Sequence, residues 1–198
     1  LKDALRFVNH KDILLSQHGI KFNNQGMKID LGGIAKGYAV DKAMDVLIKY
    51  GIKDALVNAG GDFKAICSKL TQGKRKVWIR HPRKKDSFFG YFDMDSGSVA
   101  TSGDYEQFFM VDSIRYHHIL NPKTGYPANK CVSVTIRAKN TTIADALATA
   151  VFVLGPQKGM QLIDRLDGVE GVIIFEKDKI LQYIVSRGLT GKFHAQLL

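Results

Sequence analysis

The chain has 198 residues, 45% of them hydrophobic and 24% charged, with a formal net charge of +10. This is the balance of an ordinary globular protein long enough for one sizeable core, and no apolar run reaches the length of a membrane span. The two cysteines, Cys67 and Cys131, lie far apart without a histidine at metal spacing, which argues against a zinc site, while the basic excess raises the question of an anionic partner.

Leu1, Ala4, Leu5 and Val8 recur at helical spacing, and residues 12–16 read as a strand. A hairpin through Asn23-Asn24-Gln25-Gly26 is predicted to deliver a second strand over residues 27–31. That strand runs into Asp30-Leu31-Gly32-Gly33-Ile34-Ala35-Lys36-Gly37-Tyr38, where an acid, two glycines and a lysine opening a helix follow the grammar of a phosphate or metal site. Lys36 in the first helical turn faces the positive end of the helix dipole, so an anionic ligand is the simplest offset; a lysine pointing into water is the alternative. On this reading Lys36→Gln leaves the unliganded protein equally stable or slightly more so. Ala39, Val40, Ala43, Met44, Leu47 and Ile48 continue the helix, and Gly51 ends it. Residues 55–58 form a buried strand, and Ala59-Gly60-Gly61-Asp62 is a second tight turn that could face the first.

Residues 77–80 and 88–94 are β-prone runs flanking His81-Pro82-Arg83-Lys84-Lys85-Asp86-Ser87. This basic segment reads as a solvated hairpin loop rather than a nucleic-acid patch, since no base-stacking pattern accompanies it; attraction of an acidic partner stays open. After Val99-Ala100-Thr101-Ser102-Gly103-Asp104-Tyr105 come strands over 107–111 and 114–120, the second carrying His117 and His118. Neighbouring strand residues face opposite ways, so one histidine at most points into a given site; both could simply brace the Pro122-Lys123-Thr124-Gly125 turn.

Residues 131–138 alternate, with Val132, Val134 and Ile136 on one face. The next helix begins near Asn140, and two readings of Asp145 stand side by side. Thr142 and Asp145 fit a capping box in outline, whereas Asp145 and Thr149, four residues apart on one helical face among alanines, suit Mg²⁺ as a carboxylate and a hydroxyl. Gly155-Pro156 ends that helix, Met160, Ile163 and Leu166 mark another, and runs over 172–176 and 179–186 complete a scaffold without a proposed site.

Five motifs in order, Asp30 to Tyr38, Val57 to Asp62, Ala100 to Tyr105, His118 to Gly125 and Ala144 to Ala150, resemble the ApbE family from Leu1 to about Glu176. The resemblance implies an α+β fold with a mixed, largely antiparallel sheet flanked by helices, forming a single domain over 1–198 that lacks the family's N-terminal part. It implies Mg²⁺-dependent transfer of the FMN moiety of FAD to a threonine or serine hydroxyl of an acceptor flavoprotein, with release of AMP; the alternative is an FAD pyrophosphatase giving free FMN and AMP. By the same resemblance Gly33 (through its carbonyl), Asp145 and Thr149 hold the metal. Asp30, Lys36 and Ile119 contact FAD, and His118 is the base, with His117 the alternative if the strand register differs. No nucleic-acid partner is expected. The parent is expected to be a lipid-anchored lipoprotein on the periplasmic face of the bacterial inner membrane, and this piece of it soluble. Asn121 replaces an aspartate common in the family, with little consequence expected.

Overall fold

Every residue from Cys131 to Ile136 is buried, as in a strand covered on both faces at the middle of a layered structure. A computed structural model describes residues 2–68 and 74–196. Its elements are α1 (Lys2–Leu5), β1 (Ile13–Ser16), β2 (Gly19–Phe22), α2 (Ala35–Lys49), β3 (Ala55–Ala59), β4 (Asp62–Ile66), β5 (Arg75–Arg80), β6 (Phe88–Met94) and β7 (Gly97–Gly103). They continue with β8 (Phe108–Val111), β9 (Ile114–His117), β10 (Ser133–Ala138), α3 (Thr141–Leu154), α4 (Pro156–Ile163), β11 (Glu170–Lys177), β12 (Ile180–Val185) and β13 (Phe193–Ala195). The main sheet has six strands in the order β12-β11-β10-β7-β4-β3; a second has three, β13-β6-β5, and the hairpins β1-β2 and β8-β9 stand apart. Every strand pairing among the described residues is antiparallel.

Strand alternation divides the interior in two. Ala100, Val134, Ile136 and Ile173 face α3 and α4, meeting Ala144, Ala148, Val151, Phe152 and Ile163. Their neighbours Val99, Val172 and Ile174 face the smaller sheet, packing with Val77, Ile79, Phe92 and Met94. The result is helices, large sheet, small sheet, the α+β architecture expected. Burial pushes the Cys131 thiol up to about 12, so it remains protonated and packs as a small apolar side chain. No helix among the described residues is long and apolar enough to cross a membrane.

Several local expectations change. The first helix shrinks to α1, and Leu1 lies outside the described residues. The N-terminal hairpin turns at Gln17-His18, where the Ser16 hydroxyl accepts the His18 N–H at 3.2 Å and Gly19 takes a φ of 133°. Asn23 to Gly26 therefore follow the hairpin, and residues 27–31 run without a ladder partner. The second histidine-bearing strand stops at His117, leaving only an isolated bridge from Leu120 to Pro127. Val132 joins the core on the opposite side from Val134 and Ile136, because the strand begins only at Ser133.

Candidate functional site

The Gly32-Gly33 loop is shaped first by Asp30, whose Oδ1 accepts the Gly32 N–H at 2.7 Å in an Asx turn. α2 follows and packs against the start of α3 at a distance only glycine permits. A Cβ on Gly37 would lie 2.3 Å from the Thr141 carbonyl oxygen and 2.8 Å from Asp145 Cβ. With that space empty, the Gly37 N–H donates to Asp145 Oδ2 at 2.9 Å. In a helix continued backwards this N–H would serve the carbonyl four residues earlier, at Gly33. Its diversion to Asp145 leaves the Gly33 carbonyl without a backbone donor among the described residues. Gly33 also abuts Thr149, its Cβ position being 3.8 Å from Thr149 Oγ1, which in turn lies 3.2 Å from Ser102 Oγ. Gly33, Asp145 and Thr149 thus share one corner of the molecule.

The second glycine turn does face the first. Gly60 and Gly61, at φ of 63° and 104°, close the β3-β4 hairpin, and Asn58 Oδ1 accepts the Gly61 N–H. This sets Asp62, only 1% exposed, with Oδ1 accepting the Thr101 N–H at 3.1 Å and Oδ2 2.5 Å from Lys36 Nζ. Burial raises the Asp62 carboxyl above the ordinary aspartate range; Lys36 and the Thr101 N–H oppose this, and the charge of Asp145 adds to it. The offset to Lys36 that the sequence left to a ligand is therefore present as Asp62.

This reverses the expected stability effect at Lys36. Lys36→Gln should lower stability by about 1–3 kcal/mol near neutral pH, because it strands a buried carboxylate. The loss should shrink on acidification, as Asp62 takes up a proton, and Lys36→Gln with Asp62→Asn should recover much of it. Thermal melts of the wild type and both variants across pH check this; equal stability of wild type and Lys36→Gln would contradict it.

Asp145 does not cap its helix. Asn140 does, accepting the Ile143 N–H at 2.8 Å, so the Thr142–Asp145 pair comes two residues too late for a capping box. Thr142 is instead bound by Asp41 of α2, a residue that sequence reading passed over. Asp41 accepts from the Thr141 N–H at 3.0 Å, the Thr142 N–H at 2.8 Å and the Thr142 hydroxyl at 2.6 Å, and pairs with Lys64 at 3.1 Å. Burial pushes its pKa up, but the Thr142 hydroxyl, the two backbone N–H groups and Lys64 together outweigh that and bring it down to about 2. Since the folded value lies below the unfolded one, this stabilisation is complete above the usual aspartate pKa and fades as pH falls toward 2. Asp41→Ala should cost about 1–2 kcal/mol at neutral pH, a difference that narrows below about pH 4; urea titrations of both proteins at several pH values test it.

The two histidines separate clearly. His117 is 7% exposed, its Nε2 donates to the Ala128 carbonyl at 2.9 Å, its Nδ1 accepts the Ile119 N–H at 3.3 Å, and its ring meets Phe152 edge-on. Both nitrogens are used by a neutral ring, and burial, the largest influence, lowers its pKa. His118 is exposed; its Nδ1 lies 3.3 Å from the Gln107 carbonyl, which can only accept, so the neutral ring keeps a lone pair on Nε2. His117 packs on Phe152, one helical turn from Thr149, which brings the end of β9 toward the same side of α3. Ile119 has its side chain in the core and its carbonyl bound by the Ala128 N–H, and Asp30 is exposed beside the glycine loop. Ser102 and Asp62 join the corner in addition to the residues read from sequence; both stand in motifs visible there, without a spacing that paired them with α2 or α3.

The profile of the ApbE family matches residues 1–173. An FAD:protein FMN transferase of Treponema pallidum (strain Nichols) is 37% identical over 199 residues, covering 91% of this chain and 54% of its own length. One from Klebsiella pneumoniae (strain 342) is 33% identical over 185 residues, covering 91% of this chain and 57% of its own. The crystal structure of the ApbE protein from Thermotoga maritima MSB8 superposes with a TM-score of 0.83 at 37% identity, over 96% of this chain and 62% of that one. The flavin transferase ApbE from Vibrio cholerae superposes at 0.82 with 25% identity, over 96% and 61%. The chain spans about half the length of the curated relatives it matches. With its motifs, its fold and this extent of similarity in agreement, the chain belongs to the ApbE family.

Proposed function

We propose that the protein transfers the FMN moiety of FAD to a threonine or serine hydroxyl of an acceptor flavoprotein, releasing AMP, with Mg²⁺ held by Gly33, Asp145 and Thr149. The observation that carries this reading is the diverted Gly37 N–H, which leaves a carbonyl beside a carboxylate and a hydroxyl. Such an all-oxygen set suits a hard cation that keeps water or phosphate oxygens in the rest of its shell. The set contains no thiolate or imidazole, so its donors do not favour a softer ion.

Mg²⁺ held by these residues would supply positive charge toward the pyrophosphate. Lys36, half exposed while paired to Asp62, adds a second cation on the same side. Asp30 and the Ile119 segment complete the nucleotide contacts. The acceptor hydroxyl gives its proton to His118 Nε2 as its oxygen bonds to the FMN phosphorus; the bond from that phosphorus to the bridging oxygen breaks, and AMP leaves with that oxygen. Anchorage of the parent by a lipid at the cell envelope belongs to the same proposal, and membrane fractionation tests it.

Incubation of the full-length protein with FAD, Mg²⁺ and a candidate acceptor should add the mass of FMN to the acceptor, and chelation should abolish this. Free FMN with an unmodified acceptor would assign the pyrophosphatase reaction instead. His118→Ala should lower transfer about a hundredfold while FAD affinity changes little, whereas His117→Ala should act mainly on stability. A folded His117→Ala variant with the larger loss of transfer would overturn the assignment.

A further inference from the structure

A cleft of about 830 Å³ lies between the loop of residues 81–87 and the Tyr105, Phe108 and Arg115 side chains. Its arginines are partly neutralised: Arg83 clamps Asp104 through two bonds of 2.7 Å, Arg80 reaches Glu106 at 3.1 Å, and Arg115 stands over the Phe108 ring, 3.9 Å from Asp104. Lys84 and Lys85 pair with no carboxylate among the described residues, and the one acid of their loop is Asp86. Their loop is braced, since His81 Nδ1 accepts the N–H groups of Arg83 and Lys84 at 3.1 and 3.0 Å. The cleft therefore presents two lysines without a carboxylate partner among the described residues, beside aromatic rings on a defined backbone.

Its position matters as much as its charge. Phe108, in the cleft wall, pairs directly with His117 across the β8-β9 hairpin, and the preceding residue, Gln107, holds the His118 N–H at 3.1 Å. Phe108 and Arg115 share the hairpin face of His117, and His118 follows at the open end of the same hairpin, so an extended segment of three or four residues, about 10–13 Å, passes from the cleft around that end to His118. We propose that the cleft docks an acidic segment of the acceptor protein next to its target hydroxyl, steering that hydroxyl to His118; this rests on the transfer reading above. The field fits a short acidic run better than a nucleic acid, because Asp104 and Glu106 already answer most of the arginine charge.

The test uses full-length protein and fluorescein-labelled peptides carrying one threonine among aspartates, or the same peptide with asparagines, with binding followed by anisotropy without FAD. The aspartate peptide should bind more tightly than the asparagine one. Lys84→Glu with Lys85→Glu should weaken it about tenfold or more at low salt, an effect that largely vanishes near 1 M salt. With an acceptor protein the same double variant should raise KM comparably and leave kcat and acceptor-independent FAD cleavage unchanged. Unaltered peptide binding in the variant would overturn the proposal. So would a single-stranded oligonucleotide that binds more tightly than the peptide and is lost in the variant. Charge-dependent peptide binding without FMN transfer by the wild type would instead sink the transfer reading and retain the docking surface.

Discussion

Gly37→Ala should be the most damaging glycine-to-alanine change among the described residues. The added carbon would sit 2.3 Å from a backbone oxygen and 2.8 Å from Asp145 Cβ, and neither neighbour is the movable end of a flexible side chain. α2 and α3 must therefore separate, which also breaks the Gly37–Asp145 hydrogen bond and strains the three bonds from α3 to Asp41. Overpacking of this kind combined with a broken buried network costs about 3 kcal/mol or more, or roughly 10 °C in melting temperature for a domain of this size. Helix propensity alone would favour alanine by about 1 kcal/mol, so even the sign of the change separates packing from propensity. Differential scanning calorimetry decides it: a melting temperature equal to or above that of the wild type would mean that the helices do not approach as closely as described.

Asp145→Asn should produce the largest loss of activity with the smallest loss of structure. Asparagine keeps an oxygen that can accept the Gly37 N–H, so the fold should change by no more than about 1 kcal/mol. Removing the charge also relieves Asp62, whose pKa the Asp145 carboxylate helps to raise, and this works in favour of stability. The metal would lose the one carboxylate of its proposed set, and the proposed FAD turnover of the full-length protein should fall about a hundredfold or more, with a much higher Mg²⁺ requirement. Titrating turnover against Mg²⁺ alongside circular dichroism distinguishes the outcomes. An unchanged Mg²⁺ dependence in a folded variant would reduce Asp145 to an acceptor for the Gly37 N–H.

Local signals in the sequence succeeded where one element carries the whole pattern. Asp145 and Thr149 share a face because four residues make roughly one helical turn, and the glycines at 32–33 and 60–61 mark turns because few other residues tolerate them. Thr142 misled because its relation to Asp145 is right for a cap and only the start of the helix, set by Asn140, is different. Asn23 to Gly26 look more turn-like than Gln17-His18, yet the Ser16 hydroxyl and Gly19 make the earlier site the hairpin. Asp41 and Asp62 could not be paired with their partners by inspection, since each acts on an element remote in the chain, and an acid on a helix or at a hairpin base has many ordinary uses. Arg83 carried a similar ambiguity: in a basic loop it reads as solvated, and only the fold brings it to Asp104.

The corner around Asp145 is closed by contacts that span 108 residues from Gly37, 100 from Asp41 to Thr141, and 47 from Ser102 to Thr149. Each such closure spends chain entropy before the contact returns anything, whereas α2 and the β1-β2 hairpin form from neighbouring residues. In time, then, the corner is a late arrival. After dilution of the full-length protein from denaturant, helical circular dichroism should return first, and the proposed binding of FAD with Mg²⁺ should lag behind it. A ligand that recognises only the finished corner would accordingly retard unfolding while leaving the early appearance of helix untouched, so its binding rate after refolding would time the last step of assembly.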